Sequence, residues 1–276
     1  MPYQLFSRNV KKIYIVIMLL ISIGDLVAQA SDAFADTLFA HDEKGRAILE
    51  YERLFFYHPA DTASVKWQMR LGLCYLKENK SDKALNAFLS VDSESGLFDS
   101  ARILAAEAIL DLQAYDRMDS LLLPTHLPQA NLLRGVAALH SGRLEEAQSR
   151  FASCDPEGGP LSVKGKSLFL VTDSLIQFKD KSAVTAALLG IVPGVGHFYT
   201  GRKGDGLFSA TIIAMFGGIT AYYAYHGAEG RTIAFASITG LFYAGSIYGA
   251  AVSARLHNTE KRAYYLKRAD TLYRGR

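Results

Sequence analysis

The segment Gly196-x-x-x-x-Gly201-Arg202-Lys203 has the outline of a phosphate-cradling loop. It lacks the Gly-Lys-[Ser/Thr] triplet, follows no strand-like run and borders an apolar stretch, so that chemistry is set aside. The seven histidines are scattered, and none stands at metal-ligand spacing from another histidine or a cysteine. Cys74 and Cys154 lie eighty residues apart at positions of packed helix, which fits buried thiols better than a disulfide. No Asp, Glu, Lys or Arg occurs in residues 206–225 or 232–254, where a proton-coupled transporter would carry one. These residue types predict no catalytic, cofactor-binding or metal site, and the chain is not expected to be an enzyme.

The most specific string is Gly190-Ile-Val-Pro193-Gly194-Val-Gly196-His197-Phe198-Tyr199-Thr-Gly201-Arg202. Its glycines allow a turn at a membrane face with carbonyls satisfied inside the fold, while His197, Tyr199 and Arg202 meet headgroups. Either the string is only a structural turn, or it contacts a lipid phosphate or a partner. It resembles the signature joining the first two helices of the small TM-two-type membrane domain and of related bacterial domains with Pro-Gly-x-Gly-x-x-Tyr. It departs from the commonest form in having Pro193 before the first glycine and no arginine between His197 and Phe198. The resemblance covers residues ~183–254 and implies a small helical membrane domain.

Three apolar stretches hold this motif: 183–199, broken by Pro193, Gly194 and Gly196; 206–225, twenty residues; and 232–254, twenty-three. The last two are long enough to span a bilayer, and the first is marginal. Residues 255–276 carry Arg255, Lys261, Arg262, Lys267, Arg268, Arg274 and Arg276 against Glu260 and Asp270, a net of +5 that prefers the cytoplasm. With an exported front half, three spans satisfy that preference, placing 31–181 outside, 200–205 inside, 226–231 outside and 255–276 inside. Lys164, Lys166, Lys179 and Lys181 count against it, and two spans is the alternative. Gly206, Ala210, Ala214 and Gly218 recur every fourth residue, as do Ala236, Gly240 and Ala244, with Gly245, Gly249 and Ser253 adjoining. Small residues so spaced let helices approach closely in lipid. Tyr222, Tyr223 and Tyr225 suit an interfacial aromatic belt.

Between Ala47 and Phe151 a different pattern recurs. Its clearest copy is Leu71, Gly72, Tyr75, Ala84 and Phe88; a later one keeps Gly135, Ala138, Ala147 and Phe151, and an earlier half holds Ala47, Tyr51, Leu54 and Pro59. This resembles the tetratricopeptide repeat, a helix-turn-helix unit, over residues ~42–155. Residues 98–123 match loosely through Ala106, Ile109, Met118 and Leu122, with no small residue at the crossing position of the second helix. The resemblance implies a short α-solenoid whose concave face binds a protein or peptide segment, and Gln68 and Lys77 are candidates to line that face. Trp67, Phe55, Phe56 and Tyr57 suit a core better than a ligand box.

Arg8, Lys11 and Lys12 precede an apolar run from Ile13 to Ile23, and Ala28-Gln29-Ala30 supplies a small-residue cleavage site, so residues 1–30 are expected to be a signal peptide. The charge is strongly divided: residues 31–160 hold 13 Lys/Arg against 20 Asp/Glu, and residues 161–276 hold 14 against 6. An acidic half joined to a basic half with long apolar runs argues against a nucleic-acid-binding globule. The expected layout is all-α: signal 1–30, repeat domain 31–160, capping or linker helix 161–181, transmembrane helical bundle 182–254 and basic tail 255–276. No cofactor is expected. The layout implies a multi-pass protein of the bacterial inner membrane with periplasmic repeats that recruit a protein partner. The alternative is a subunit of an insertion or lipid-handling complex in which the membrane domain is the active part.

Overall fold

The structure, a computed structural model, describes residues 32–58, 63–125, 127–154 and 159–275; the expected signal 1–30 and Pro59 lie outside them. Every regular element among these residues is helical. The chain divides into two compact units, one ending at Gly165 and one beginning at Lys166. That boundary falls inside a helix, α9 below.

The first unit contains α1 (32–40), α2 (Lys44–Tyr57), α3 (Ser64–Lys77), α4 (Ser81–Leu89), α5 (Phe98–Asp111), a 3₁₀ turn at Tyr115–Arg117, α6 (Met118–Leu122), α7 (Pro128–His140) and α8 (Leu144–Ala152). One turn geometry recurs four times. Asp42, Asn79, Gln113 and Gly142 adopt left-handed backbone, with φ of 64°, 57°, 56° and 76°. The N–H of the next residue then reaches back into the preceding helix: Glu43 to the Leu38 carbonyl, Lys80 to Tyr75, Ala114 to Ile109 and Arg143 to Ala138, at 2.8–3.1 Å. This is how a left-handed residue closes a helix end.

Residue types are fixed around these turns. Seven positions earlier stands a small residue, Ala35, Gly72, Ala106 or Gly135; five later stands Ala47, Ala84, Met118 or Ala147; nine later stands Tyr51, Phe88, Leu122 or Phe151. All twelve are buried. The reason is contact across the pair: a β-carbon on Gly72 would lie 2.5 Å from the Phe88 ring, and one on Gly135 would lie 2.5 Å from the Phe151 ring. Where the second helix offers Leu122 instead of a ring, the first helix carries Ala106. The loosely matching third copy therefore folds as a pair like the others, with Met118 at the alanine position. Its second helix is short because Pro124 follows it. Turn spacings, from 42 to 79, 79 to 113 and 113 to 142, are 37, 34 and 29 residues.

The pair formed by α1 and α2 is held by polar contacts. Asp36 accepts from the Tyr51 hydroxyl at 2.8 Å and from Lys66 at 2.9 Å and pairs with Arg70, while Asp32 accepts from the Trp67 indole at 2.7 Å. Trp67 is core, whereas Phe56 and Tyr57 are exposed. Cys74 and Cys154 are buried and not joined in a disulfide, and burial pushes the Cys74 thiol up to about 11.

The second unit takes in most of α9 (Pro160–Ile176), then α10 (Ala183–Leu189), α11 (Val195–Tyr199), α12 (Lys203–Tyr225) and α13 (Glu229–Arg274). Two of these, α12 and α13, are long and apolar enough to cross a membrane. The stretch 183–199 is not. It breaks into α10 and α11, and seven residues at ~1.5 Å each cover only about a third of a ~30 Å hydrocarbon layer. The expected third span is corrected on that ground. The expected separate tail is also continuous helix, since α13 runs unbroken for 46 residues.

The repeat pairs make a direct prediction. Gly72→Ala and Gly135→Ala should each lower stability by about 1–3 kcal/mol through overpacking. Gly45→Ala, which faces open space within α2, should leave stability unchanged or raise it by up to about 1 kcal/mol. Urea midpoints of the helical signal separate the two outcomes.

Candidate functional site

The Pro-Gly-x-Gly motif joins two short helices, α10 and α11, between which the chain reverses. Ser182 caps α10 by accepting from the Thr185 N–H at 3.2 Å. α10 runs along α13, with Ala186 packed on Ala250 and Ala254. At its far end the Tyr243 hydroxyl donates to the Ile191 carbonyl at 2.7 Å. The chain then reverses. The Ile191 and Val192 N–H groups bond the Leu188 and Leu189 carbonyls at 3.2 Å, and Pro193 has no N–H to leave unpaired. Gly194 takes φ 88°, where a β-carbon would run into the Gly206 carbonyl oxygen. A β-carbon on Gly196 would strike Ala186 and Ala250. Both glycines are thus required by close backbone approach as well as by the turn.

α11 returns the chain to the level where it began. Lys181 is gripped on two sides by Asn258, its N–H donating to Oδ1 at 2.9 Å and its carbonyl accepting from Nδ2 at 3.0 Å. Its ammonium donates to the Tyr199 carbonyl at 2.5 Å. Asp180 pairs with Arg262 at 3.0 Å, and the Phe178 ring lies 6.3 Å from both His257 and Tyr265. Residues 178–182, 199–203 and 255–265 therefore form one end of this unit, and the turn between α12 and α13 forms the other. Asp180 and Arg262 cannot occupy opposite faces of a bilayer while ion-paired, so the expected separation of residues up to 181 from the tail gives way.

Several motif residues sit otherwise than expected. His197 is not at a headgroup surface: it is buried, its Nδ1 3.1 Å from the Ser253 hydroxyl and its Cε1 edge against Gly249. Phe198, Gly201 and Arg202 are exposed, Pro193 and Tyr199 half-buried, and Arg202 pairs with Asp205 at 3.2 Å.

Of the small-residue rows, Gly206 and Ala210 meet Gly194, and Gly249 meets His197. Ala214, Gly218, Ala236, Gly240 and Gly245 are exposed within the unit. The α12–α13 contact instead runs through Phe216 stacked on Phe235 and Phe242, Tyr223 on Phe235, and Thr220 beside Thr239. Every fourth residue on a helix drifts about 40° per step, so a strict four-residue row leaves the contact face within a few turns.

In the first unit Gln68 is half-buried and Lys77 is exposed. Nine residues apart on α3, they point to opposite sides of the helix, at about 100° per residue, and cannot line one groove together. Positions equivalent to Gln68, eleven residues before each left-handed turn, are Arg102 and Asn131, both half-buried. Arg102 has a buried Nε without a hydrogen-bond partner. Sequence periodicity could have found this row once the turns were aligned. Lys181, Asn258, Asp180 and Arg262 carry no such signal, because their pairing crosses about eighty residues of chain.

No group of metal-ligand residues occurs among the described residues. No family model, no curated protein and no solved structure matches this chain.

Burial, then Lys181 and Lys261, hold the His257 pKa below its ordinary value against the opposing pull of Glu260 and a backbone contact at Thr200; Phe178 also packs on the ring. A folded pKa below the unfolded one stabilises above about pH 6.5 and loses that contribution as pH falls. Amide exchange at Lys181, corrected for the intrinsic rate, should therefore quicken on going from about pH 7.5 to about pH 5.5 in the natural chain but not in His257→Gln. An equal pH response in both chains would contradict this.

Proposed function

We propose that the chain is a membrane-anchored adaptor of a bacterial envelope. A signal at residues 1–30 exports it, the recurring helix pairs form a short tetratricopeptide-like stack that holds an extended segment of a partner protein, and α12 with α13 is a two-span anchor. The observation that carries this reading is the fourfold recurrence of one turn with buried small and large residues at the same offsets, in a chain that also has two helices long and apolar enough to cross a membrane.

Each pair buries its small-against-large contact internally and leaves the equivalent positions Gln68, Arg102 and Asn131 half-buried in successive first helices. Such a row suits readout of an extended segment, and the unpartnered Arg102 Nε suits a carbonyl or carboxylate acceptor on it. In the anchor, the re-entrant pair enters and leaves on one face, adding nothing to the parity of crossings. Both ends of the hairpin then share the side to which the signal delivers them. Lys179, Lys181, Arg202, Lys203, Arg255, Lys261 and Arg262 gather at that end, where Arg202 pairs with Asp205 and Arg262 with Asp180.

Photo-crosslinking residues placed singly at Gln68, Arg102 and Asn131 in living cells should give one common adduct, and Lys77, on the opposite side of α3, should give none. No adduct at any of the three, or an adduct at Lys77 alone, would contradict the adaptor.

A further inference from the structure

A cleft of about 290 Å³ lies in the second unit between α11, α12 and α13. Phe208, Ile212, Ile213, Leu241 and Phe242 give it apolar walls, and His197, Ser209, Gly245, Ser246 and Gly249 complete it. One feature does not belong to an inert gap between helices. Ser246 is 94% buried, and its hydroxyl has no hydrogen-bond partner. Its neighbours behave differently: Thr220, Thr232, Ser237 and Thr239 each donate to the carbonyl four residues back, at 2.8–3.1 Å. A buried hydroxyl left unpaired costs about 1–3 kcal/mol, so its presence here calls for an acceptor that comes from outside the chain. The His197 ring beside it spends Nδ1 on Ser253 and turns its other edge to Gly249 in the cleft wall.

We infer that the cleft binds one acyl chain of a bilayer phospholipid, with the ester carbonyl accepting from Ser246. This rests on the reading that α12 and α13 cross a bilayer. Polarity is graded along the cleft in the way such a ligand is graded. His197 lies near the end marked by Arg202 and Arg255, Ser246 lies about two turns of α13 below Ser253, and Leu241 and Phe242 lie deeper still. The volume is many times the ~10–15 Å³ that one water needs, room for a run of several methylenes. Apolar burial contributes little selectivity where the surroundings are also hydrocarbon, so the hydrogen bond and the shape of the cleft must supply it. A headgroup phosphate would find its partners at the basic end instead.

The test uses the full chain in phosphatidylglycerol and phosphatidylethanolamine vesicles carrying a phospholipid with a photoactivatable group midway along one acyl chain. Label sites are read by peptide mass spectrometry. In the natural chain, label should concentrate on residues 208–213 and 241–249. Ser246→Ala should reduce it about threefold to tenfold, the worth of one hydrogen bond. Gly245→Phe, which fills the cleft from a position open to a β-carbon, should bring it down to the level of the outer helix faces, while Gly240→Phe, equally open but outside the cleft, should leave it unchanged. Label spread evenly around α12 and α13, or unaffected by Gly245→Phe, overturns the acyl site and leaves the spans standing. A chain that fails to float with the vesicles and takes no label on either helix overturns the spans and the acyl site with them.

Discussion

Gly194 and Gly206 meet backbone to backbone, and neither has room for a β-carbon. That contact lets the chain fold back after about ten residues of apolar sequence instead of running on as one helix. Everything else about the second unit follows from the reversal. α11 returns to the starting level, which puts Tyr199 within reach of the Lys181 ammonium and Thr200 beside His257. It also wedges His197 between the long helices, where Gly249 makes space for the ring, and so opens the cleft that Phe208 and Leu241 wall. At the turn the Ile191, Val192 and Val195 N–H groups are bonded, and Pro193 has none to satisfy.

Much of the first unit was legible because its signal is local. Gly72 with Phe88 and Gly135 with Phe151 are sixteen residues apart in both cases, and the ring-to-glycine contact explains both spacings at once. The third pair was harder to read, since Leu122 and Ala106 replace the ring and the glycine while conserving the fit. The first pair was read only in its second half. Asp32, Ala35 and Asp36 show their role only when Trp67, Tyr51 and Lys66 are brought against them. Gln68 and Lys77 failed as a joint site for a simpler reason, because the helix itself sets them on opposite sides.

In the second unit, composition found the two long apolar helices but not the way they meet. Four-residue rows of small residues suggested one face, and the aromatic stack of Phe216, Phe235 and Phe242 occupies another. Length and charge suggested a third crossing because neither measures where a turn sends the chain next. The +5 tail pulled the same way, yet it continues α13 beside Asp180, and Arg262 finds its counter-charge there. Two amide hydrogen bonds between Lys181 and Asn258 fix that end more firmly than an exposed ion pair would.

The proposed two-span reading requires residues 178–182, 199–203 and the last turns of α13 to share one side of the membrane, opposite the α12–α13 turn. Single cysteines at Lys179, Lys203, Glu229 and Thr271, all exposed, can be placed in a chain whose Cys74 and Cys154 are replaced by alanine. An impermeant maleimide applied to intact cells with permeabilised outer membranes should label 179, 203 and 271 alike and spare 229. Labelling at 179 and 229 with protection at 203 and 271 would show three crossings and contradict the re-entrant account.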